Sequence, residues 1–409
     1  MRILYLCSDV EIPVCGSEGS SLHIRGLTNA LAAAGHTVDI FGGWLDGAPP
    51  ADLHSPVHAI LPPGFDAQAW NALQDDPFVQ NQKLDRDLKS VLMNTWLQKL
   101  AAEHYRAAAP DFIYERYSLF GWSGLELSRR WNVPLILEAN APIAREQEGY
   151  DRFVLLETAD RVEAEILRGA GAVIAVSSVV GDWVLSRGAG RERLHVIPNA
   201  ISRDRFERPG NGAAIRARFG LGDRPVIGFV GTFQHWQDTA CLVRAFARVH
   251  AARPDTHLLL VGRGLLQDDL KAAVRAAALE KAVTFAGSAP HGEIPDYLAA
   301  MDVAVAPYPR WKGDFHGSPM KIFEYMAAGR PIVAAALGQV GDIVKDGVTG
   351  LLYEPGDEDG MMGALERMLA DPAAAAALGR AARVKAMRDH SWDAVATRVI
   401  SLAESLKTV

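Results

Sequence analysis

The residues best suited to chemistry lie in one stretch, His316–Pro331, which reads HGSPMKIFEYMAAGRP. A polar, glycine-containing loop leads into a predicted helix there, and Lys321 falls in the first turn of that helix. The free backbone N–H groups of a helix start, the helix dipole and an ammonium group all favour a bound anion. The segment therefore predicts a clamp for a diphosphate around Ser318–Lys321.

Glu324 lies one turn further along the same helix. A carboxylate near a helix start is common in any protein, and here it would oppose the field that attracts a diphosphate. It has a more specific use as the acceptor of two hydroxyl protons from a ribose, the role that an acidic residue plays beside a bound dinucleotide. We therefore predict that Glu324 binds the ribose of a nucleotide.

Three further loops carry glycine at predicted strand ends: CGSEGSS at Cys15–Ser21, GFVGT at Gly228–Thr232 and VGRG at 261–264. Small residues let the backbone approach a phosphate, but tight turns and strand-to-helix packing use glycine in the same way. Arg263 could add a cation to such a site or could be a solvated surface charge. The loops match neither the P-loop nor the GxGxxG pattern.

The elements around these loops alternate between strand and helix, which predicts α/β domains with parallel sheets. A charged, glycine-rich stretch at 202–224 interrupts the alternation and is typical of a linker. We predict an N-terminal Rossmann-like domain at 1–201 and a C-terminal one at 202–391. The helix at 392–409 is polar enough to lie across a neighbouring domain. Two such domains would hold ligands in a cleft at the carboxyl ends of their strands.

Composition limits the class of protein. The 409 residues carry a net charge of −7, which argues against a dedicated nucleic-acid binder. Three cysteines without CxxC or histidine partners at zinc spacing predict neither a disulfide framework nor a structural metal site. We expect no cofactor beyond a substrate. The start of the chain is no signal peptide and no stretch has the length of a membrane span, which favours a cytoplasmic protein.

The region from 45 to 105 is the least patterned part of the chain. Residues 45–80 are rich in Pro, Gly and Asp and are interpreted as loops with short elements, whereas residues 81–105 are interpreted as one amphipathic helix. The apolar side of that helix could cover a sheet or rest on the inner face of a membrane whose lipid is the acceptor. It comprises Leu84, Leu88, Val91, Leu92, Trp96, Leu97 and Leu100.

Taken in order, the motifs resemble the retaining glycosyltransferases of the two-domain GT-B fold, the group that contains sucrose synthases and bacterial mannosyltransferases. The most specific match is SPMKIFEYMAAGRPIVA at 318–334. Weaker matches with the right order and spacing cover essentially the whole chain. They are the opening strand and glycine loop, IYERYSLFGWSG, PLILEANAP, AVSS at 175–178, IPNA at 197–200 and GFVGTFQHW at 228–236.

The resemblance implies a nucleotide-sugar donor, a UDP- or GDP-sugar, on the C-terminal domain, and a small-molecule, glycan or lipid-linked acceptor. It implies transfer with retention, without metal and without a protein nucleophile, the leaving diphosphate itself taking the acceptor's proton. It also implies that the closing helix crosses back to the N-terminal domain. Donor-binding positions would be Gly19, Gly231, Gly317, Ser318, Pro319 and Met320, in addition to Lys321 and Glu324.

Three departures from the family pattern affect the site. His316 stands where the first of two paired glutamates is usual, so we place it with Lys321 and Glu324 among the catalytic candidates. Thr232 and Gln237 replace the usual Arg and Lys, which leaves the diphosphate charge to Lys321, Arg263 or a helix dipole. Asn140 replaces a histidine; it can bind a sugar hydroxyl but cannot carry a proton.

Glu138, close to Asn140, is a possible acceptor-side carboxylate or a structural group. Two other functions stay open at this stage. One is a different GT-B enzyme, such as a nucleotide-sugar epimerase or a phosphorylase, because a fold does not fix the chemistry. The other is a non-catalytic partner that binds a nucleotide sugar, which the replacements at His316, Thr232 and Gln237 would permit.

Overall fold

The computed structural model describes residues 1–60, 85–147, 154–313 and 315–407. The chain divides into two compact units. The first comprises Met1–Pro198 together with the segment that begins at Trp392, and the second comprises Asn199–Ser391. The sequence predicted this boundary slightly later, after residue 201, and predicted that the closing segment returns to the first unit.

The strands of the first unit form a parallel seven-stranded sheet in the order β3-β2-β1-β4-β5-β6-β7. The order reverses direction between β1 and β4, which is the topology of a Rossmann-like sheet. Short apolar runs such as RILYLC and LILEA make the inner strands, because both faces of a parallel sheet are covered. The strands are β1 (Arg2–Cys7), β2 (Thr37–Gly42), β3 (Val57–Ala59), β4 (Phe112–Arg116), β5 (Leu135–Ala139), β6 (Ala172–Ala175) and β7 (Leu194–Val196).

Helices of the first unit cover this sheet, and several of them share an apolar core with it. They are α1 (Gly19–Ala33), α2 (Asp85–His104), α3 (Ser123–Trp131), α4 (Ile143–Gln147), α5 (Leu156–Gly169), α6 (Ser178–Ser186) and the C-terminal helix, Trp392–Lys407, which is α16 in chain order. The C-terminal helix packs against α1, where Gly26 leaves the space that the Trp392 indole fills. A Cβ at this glycine would collide with the indole ring.

The second unit repeats the architecture with a parallel six-stranded sheet in the order β10-β9-β8-β11-β12-β13. Its strands are β8 (Val226–Val230), β9 (His257–Val261), β10 (Val283–Gly287), β11 (Val303–Ala306), β12 (Ile332–Ala335) and β13 (Leu351–Tyr353). Its helices are α7 (Asp204–Glu207), α8 (Gly212–Phe219), α9 (Thr239–Ala252), α10 (Gln267–Ala276), α11 (Ile294–Ala299), α12 (Met320–Ala327), α13 (Gln339–Ile343), α14 (Glu358–Ala370) and α15 (Pro372–Asp389). A separate apolar core fills this unit.

The predicted elements and the observed ones differ in a few places. The strand β3 lies in the stretch interpreted as loops, and α14 was not predicted. The helix predicted over 81–105 is α2; its residues 81–84, Leu84 included, lie outside the described residues. Because Met93, Leu97 and Ala101 of α2 are fully buried, this helix covers the sheet. No helix in the described part of the chain combines the length and apolar character needed to cross a membrane.

Candidate donor and acceptor sites

The topology of the second unit fixes where its ligand site should lie. Strands β8 and β11 are neighbours, and the sheet order runs in opposite directions on either side of them. In open α/β sheets, ligands bind outside the carboxyl ends of the strands at such a reversal. The loop that follows β8 contains Gly231 and Gln237, and the loop that follows β11 leads into α12. The predicted diphosphate clamp is therefore at the expected edge of the sheet.

Lys321 is half-buried in the first turn of α12, and its ammonium group has few polar neighbours. Its Nζ donates a hydrogen bond to Gln237 Oε1 at 2.5 Å and lies 4.1 Å from the centre of the Phe229 ring. Loss of solvation lowers the pKa of Lys321 to about 7, although the charge of Glu324 opposes the shift. The amine would regain its ordinary pKa if an anion bound beside it.

Gly231 makes room for this ammonium group. The residue follows β8 with φ of +150°, a conformation that other residues rarely adopt, and a Cβ placed on it would lie 2.5 Å from Lys321 Nζ. The glycine that was predicted to let the backbone approach a phosphate therefore lies directly beside the predicted cation, Lys321.

Glu324 is buried at the second turn of α12, beside Arg205 of α7 and His291 of the segment after β10. Its Oε1 lies 3.1 Å from His291 Nε2 and 3.4 Å from Arg205 Nη1. Arg205 Nη1 lies 2.5 Å from His291 Nε2, and Arg205 Nη2 donates to His291 O at 2.5 Å. Burial raises the pKa of Glu324, and the guanidinium of Arg205 opposes the rise.

The loop before α12 is tied to the start of the second unit. Asn199 donates from its backbone N to Ser318 Oγ at 3.1 Å and from its side chain to Ser318 O at 2.7 Å. Pro319 is the N-cap residue, and no side chain of the described residues caps the helix there. At the other side of α12, the Tyr325 hydroxyl accepts a hydrogen bond from Val230 N at 2.8 Å. The helix start is therefore held in place while its first N–H groups stay available.

The other predicted donor-site residues of the second unit differ in how far they are exposed to solvent. Gly317, Ser318, Pro319 and Met320 are half-buried and lead into α12, and His316 is half-buried just before them. Thr232 and Arg263 are exposed on the loops after β8 and β9. The two loops are joined, because Phe233 N donates to Arg263 O at 3.0 Å.

Three residues of this site were missed from the sequence: Arg205, His291 and Asn199. Arg205 lies in the stretch interpreted as a linker, and His291 lies in a segment that carries none of the motifs described above. Asn199 belongs to the IPNA segment, which is the one signal that could have drawn attention to it. Gln237, noted only as a lost cation, turns out to accept the hydrogen bond from Lys321.

In the first unit, Glu138 is the centre of a buried polar cluster at the end of β5. Its Oε2 accepts hydrogen bonds from His23 Nε2 at 2.8 Å and from the Tyr114 hydroxyl. Its Oε1 accepts from Arg116 Nη1 at 2.9 Å and from Asn140 Nδ2 at 2.6 Å. Burial alone would raise the pKa of Glu138, but His23, Arg116 and Tyr114 together hold it well below its usual range.

This cluster orients Asn140. A carboxylate only accepts hydrogen bonds, so the amide nitrogen must face Glu138 and the amide oxygen must point elsewhere. Both predicted acceptor-side residues are therefore in contact, with Glu138 as the fixed partner and Asn140 half-buried. Gly19, the remaining predicted residue, is exposed as the first residue of α1.

The glycine loop before α1 is braced by side chains of that helix. Ser21 Oγ donates to Pro13 O at 2.5 Å, and Arg25 Nη2 donates to Gly16 O at 2.9 Å. These two bonds attach the loop to the first turns of α1. They therefore fix the backbone that leads into the exposed Gly19.

Two family models match the chain. The model for group 1 glycosyl transferases matches residues 224–371, and the model for glycosyltransferase family 4 matches residues 17–205. Among related proteins, a glycogen synthase from Mycobacterium tuberculosis is 28% identical over 97% of this chain and 93% of its own. A D-inositol 3-phosphate glycosyltransferase from Acidothermus cellulolyticus is 29% identical over 94% of this chain and 85% of its own.

Solved structures agree on the architecture. The crystal structure of HepE from Anabaena in complex with UDP superposes with a TM-score of 0.74 at 21% identity and covers the whole of both chains. At this identity the likeness establishes the fold. The two matched families, the relatives along nearly the whole chain and this fold together show that the protein belongs to the GT-B glycosyltransferases.

Proposed function

We propose that this protein transfers a hexosyl group from a nucleotide sugar to a hydroxyl acceptor, with retention of anomeric configuration and without a metal ion. The observation that carries the proposal is the placement of Lys321 beside Gly231 at the start of α12, on the edge of the sheet where α/β proteins bind ligands.

The donor diphosphate would bind against the ammonium group of Lys321 and the free N–H groups of Met320 and Lys321. A diphosphate would give this amine a negatively charged partner, so its binding would favour the protonated form at neutral pH. A charge fixed in this way also stabilises the leaving diphosphate as the glycosidic bond breaks. Because the lysine supplies that charge, transfer needs no metal ion to supply it.

The nucleotide would lie next to Glu324, whose carboxylate would accept the hydroxyl protons of the ribose. Arg205 and His291 hold Glu324 Oε1, which leaves Oε2 for the substrate. A UDP-sugar is the first candidate, since HepE binds UDP, and a GDP-sugar is the second. His291 would lie near the base through its contact with Glu324.

Retention follows from what surrounds the reacting centre in this proposal. The clamp holds the diphosphate on one face of the sugar, and a phosphate oxygen there can take the acceptor's proton as the leaving group departs. The acceptor hydroxyl then enters on the face that the diphosphate leaves. In the first unit, Asn140 would present its amide oxygen to an acceptor hydroxyl, positioned by Glu138.

The proposal is tested with the purified chain and a panel of nucleotide sugars, by calorimetry and by release of the free nucleotide. Lys321→Met should lower kcat/KM for the preferred donor by about 100- to 1000-fold, the usual effect of removing one stabilising donor from a transition state. Glu324→Gln should weaken donor binding about tenfold, the loss expected for one ribose contact.

Matched controls lie on the surface of the same unit. Lys281→Met and Glu280→Gln change exposed residues of the same types and should leave donor binding and turnover unchanged. Proton NMR of the product should show the donor's anomeric configuration, and transfer should persist in a chelator at a temperature at which circular dichroism shows the metal-free chain to be folded. Wild-type turnover by both site variants would refute the assignment of the site, and an inverted product, or loss of transfer by the folded chain in chelator, would refute the mechanism.

A further inference from the structure

Three side chains that the proposed reaction does not use come together at the outer edge of the first sheet. Asp39 lies in the middle of β2, His58 lies in the edge strand β3, and His104 is the last residue of α2. Asp39 Oδ1 is 3.7 Å from His58 Nε2, and Asp39 Oδ2 is 3.4 Å from His104 Nε2. One nitrogen or oxygen from each residue lies within 4.8 Å of the other two.

The backbone accounts for this meeting. Phe41 pairs with His58 in the sheet, so their side chains project from the same face. Asp39 lies two residues before Phe41 on the same strand, so its side chain projects from that face as well. The end of α2 covers that face, and the rings of His58 and His104 lie 4.7 Å apart. The cluster therefore belongs to the fixed part of the fold.

Ordinary packing does not satisfy these groups. The Asp39 carboxylate is buried, with the hydroxyl of Tyr105 donating to its Oδ2 at 2.8 Å. His58 Nε2 is buried without a hydrogen bond to any described residue, because 3.7 Å from the carboxylate is too long for one.

We propose that Asp39, His58 and His104 form a binding site for a divalent transition-metal ion, with zinc as the best fit. Two imidazoles and one carboxylate are a ligand set typical of zinc. Bonds of about 2.0–2.1 Å in a tetrahedron place neighbouring ligand atoms about 3.3 Å apart. In the protein, Asp39 Oδ2 and Oδ1 lie 3.4 and 3.7 Å from the nitrogens of His104 and His58, and one ligand atom of each residue lies within 4.8 Å of the other two. Side-chain movements of up to about 1.5 Å would bring these atoms to the tetrahedral spacing.

The surroundings fit such a site as well. The His58 and His104 side chains are 30% and 34% exposed, so an ion can enter and water can occupy the fourth position. The Tyr105 hydroxyl would orient the carboxylate from outside, as hydrogen-bond partners of metal ligands commonly do. Binding would join the edge strand and the end of α2 to β2, so that the ion stabilises the first unit.

The experiment uses the full chain freed of metal by a chelator and dialysed. Zn²⁺ should bind with one tight site per chain in a competition titration with a chromophoric chelator, and should raise the Tm by mass action. Co²⁺ at the same site should give the intense visible absorption of a four-coordinate ion. His58→Gln and His104→Gln should each weaken Zn²⁺ binding more than the roughly 100-fold that loss of an outer partner causes.

His54→Gln is the matched control, because it changes an exposed histidine in the same part of the chain and should leave the affinity for Zn²⁺ unchanged. Circular dichroism of the metal-free variants checks that they fold. The Co²⁺ spectrum of the unaltered protein tests the ligand set even if a variant does not fold. Equal Zn²⁺ affinity in all three variants, or a wild-type protein that gives neither a tight site nor the Co²⁺ spectrum, would overturn the proposal.

Discussion

The two buried glutamates, Glu138 in the first unit and Glu324 in the second, have opposite electrostatic surroundings. Glu138 accepts hydrogen bonds from four side chains, and its pKa lies well below the usual range. Burial raises the pKa of Glu324 and lowers that of Lys321, one turn away. The first cluster is complete without a ligand, whereas the second holds charges that a ligand would satisfy. This difference is the one expected between a structural anchor and the donor site proposed above.

The largest test of this comparison is the stability of two matched variants. Glu138→Gln places an amide among four hydrogen-bond donors and leaves Arg116 without its buried counter-charge, which should cost about 3–5 kcal/mol of unfolding free energy. Glu324→Gln should cost less than about 1 kcal/mol, because burial already disfavours the charged form. Urea unfolding followed by fluorescence measures both.

The sign of the pH effect provides a check on that pair. Because the folded pKa of Glu138 is lowered, its contribution is present above the unfolded pKa and is lost as the pH falls through the folded one. The destabilisation by Glu138→Gln should therefore shrink in acid. Equal losses for the two variants at neutral pH would show that the two clusters do not differ.

The second test follows donor binding with pH. The free Lys321 amine loses its proton as the pH rises through about 7, and a bound diphosphate should favour the protonated form. The Kd of a nucleotide sugar should be constant below pH 7 and should rise up to about tenfold per pH unit above it. Calorimetry across this range measures the slope. In Lys321→Met the slope should vanish; a slope that survives the substitution would assign the titration to another group.

The smallest expected effect is that of Gly231→Ala. The new Cβ would displace the ammonium group and would strain a backbone with positive φ, which should weaken donor binding about tenfold. Gly363→Ala, within α14 and without atoms near the added methyl group, is the control and should leave binding unchanged. If both variants bind donor as the wild-type protein does, the space at Gly231 is not needed to position the Lys321 ammonium group for the donor.

The sequence was sufficient for the parts of the molecule that depend on local patterns. The strand–helix alternation predicted both sheets, and the glycine-rich loop before a lysine-bearing helix predicted the position of Lys321. The partners of Glu324 were not predictable, because Arg205 and His291 reach it from segments that only the tertiary fold brings together.

The same reason explains the other omissions. β3 is three residues long and lies in a loop-like stretch, so no periodicity marks it. Asp39, His58 and His104 have no recognisable spacing along the chain, so no local pattern indicated that they would meet. Contacts between residues far apart in sequence carry information that local patterns do not contain.

The packing of the Trp392 indole against Gly26 has a consequence for folding during synthesis. Helix α1 is synthesised before the second unit, and its partner helix is synthesised after it. The second unit is continuous in sequence, so all of its segments can leave the ribosome while the first unit still lacks its closing helix. The apolar surface of α1 around Gly26 stays uncovered throughout elongation, and a chain truncated before Trp392 would never cover it.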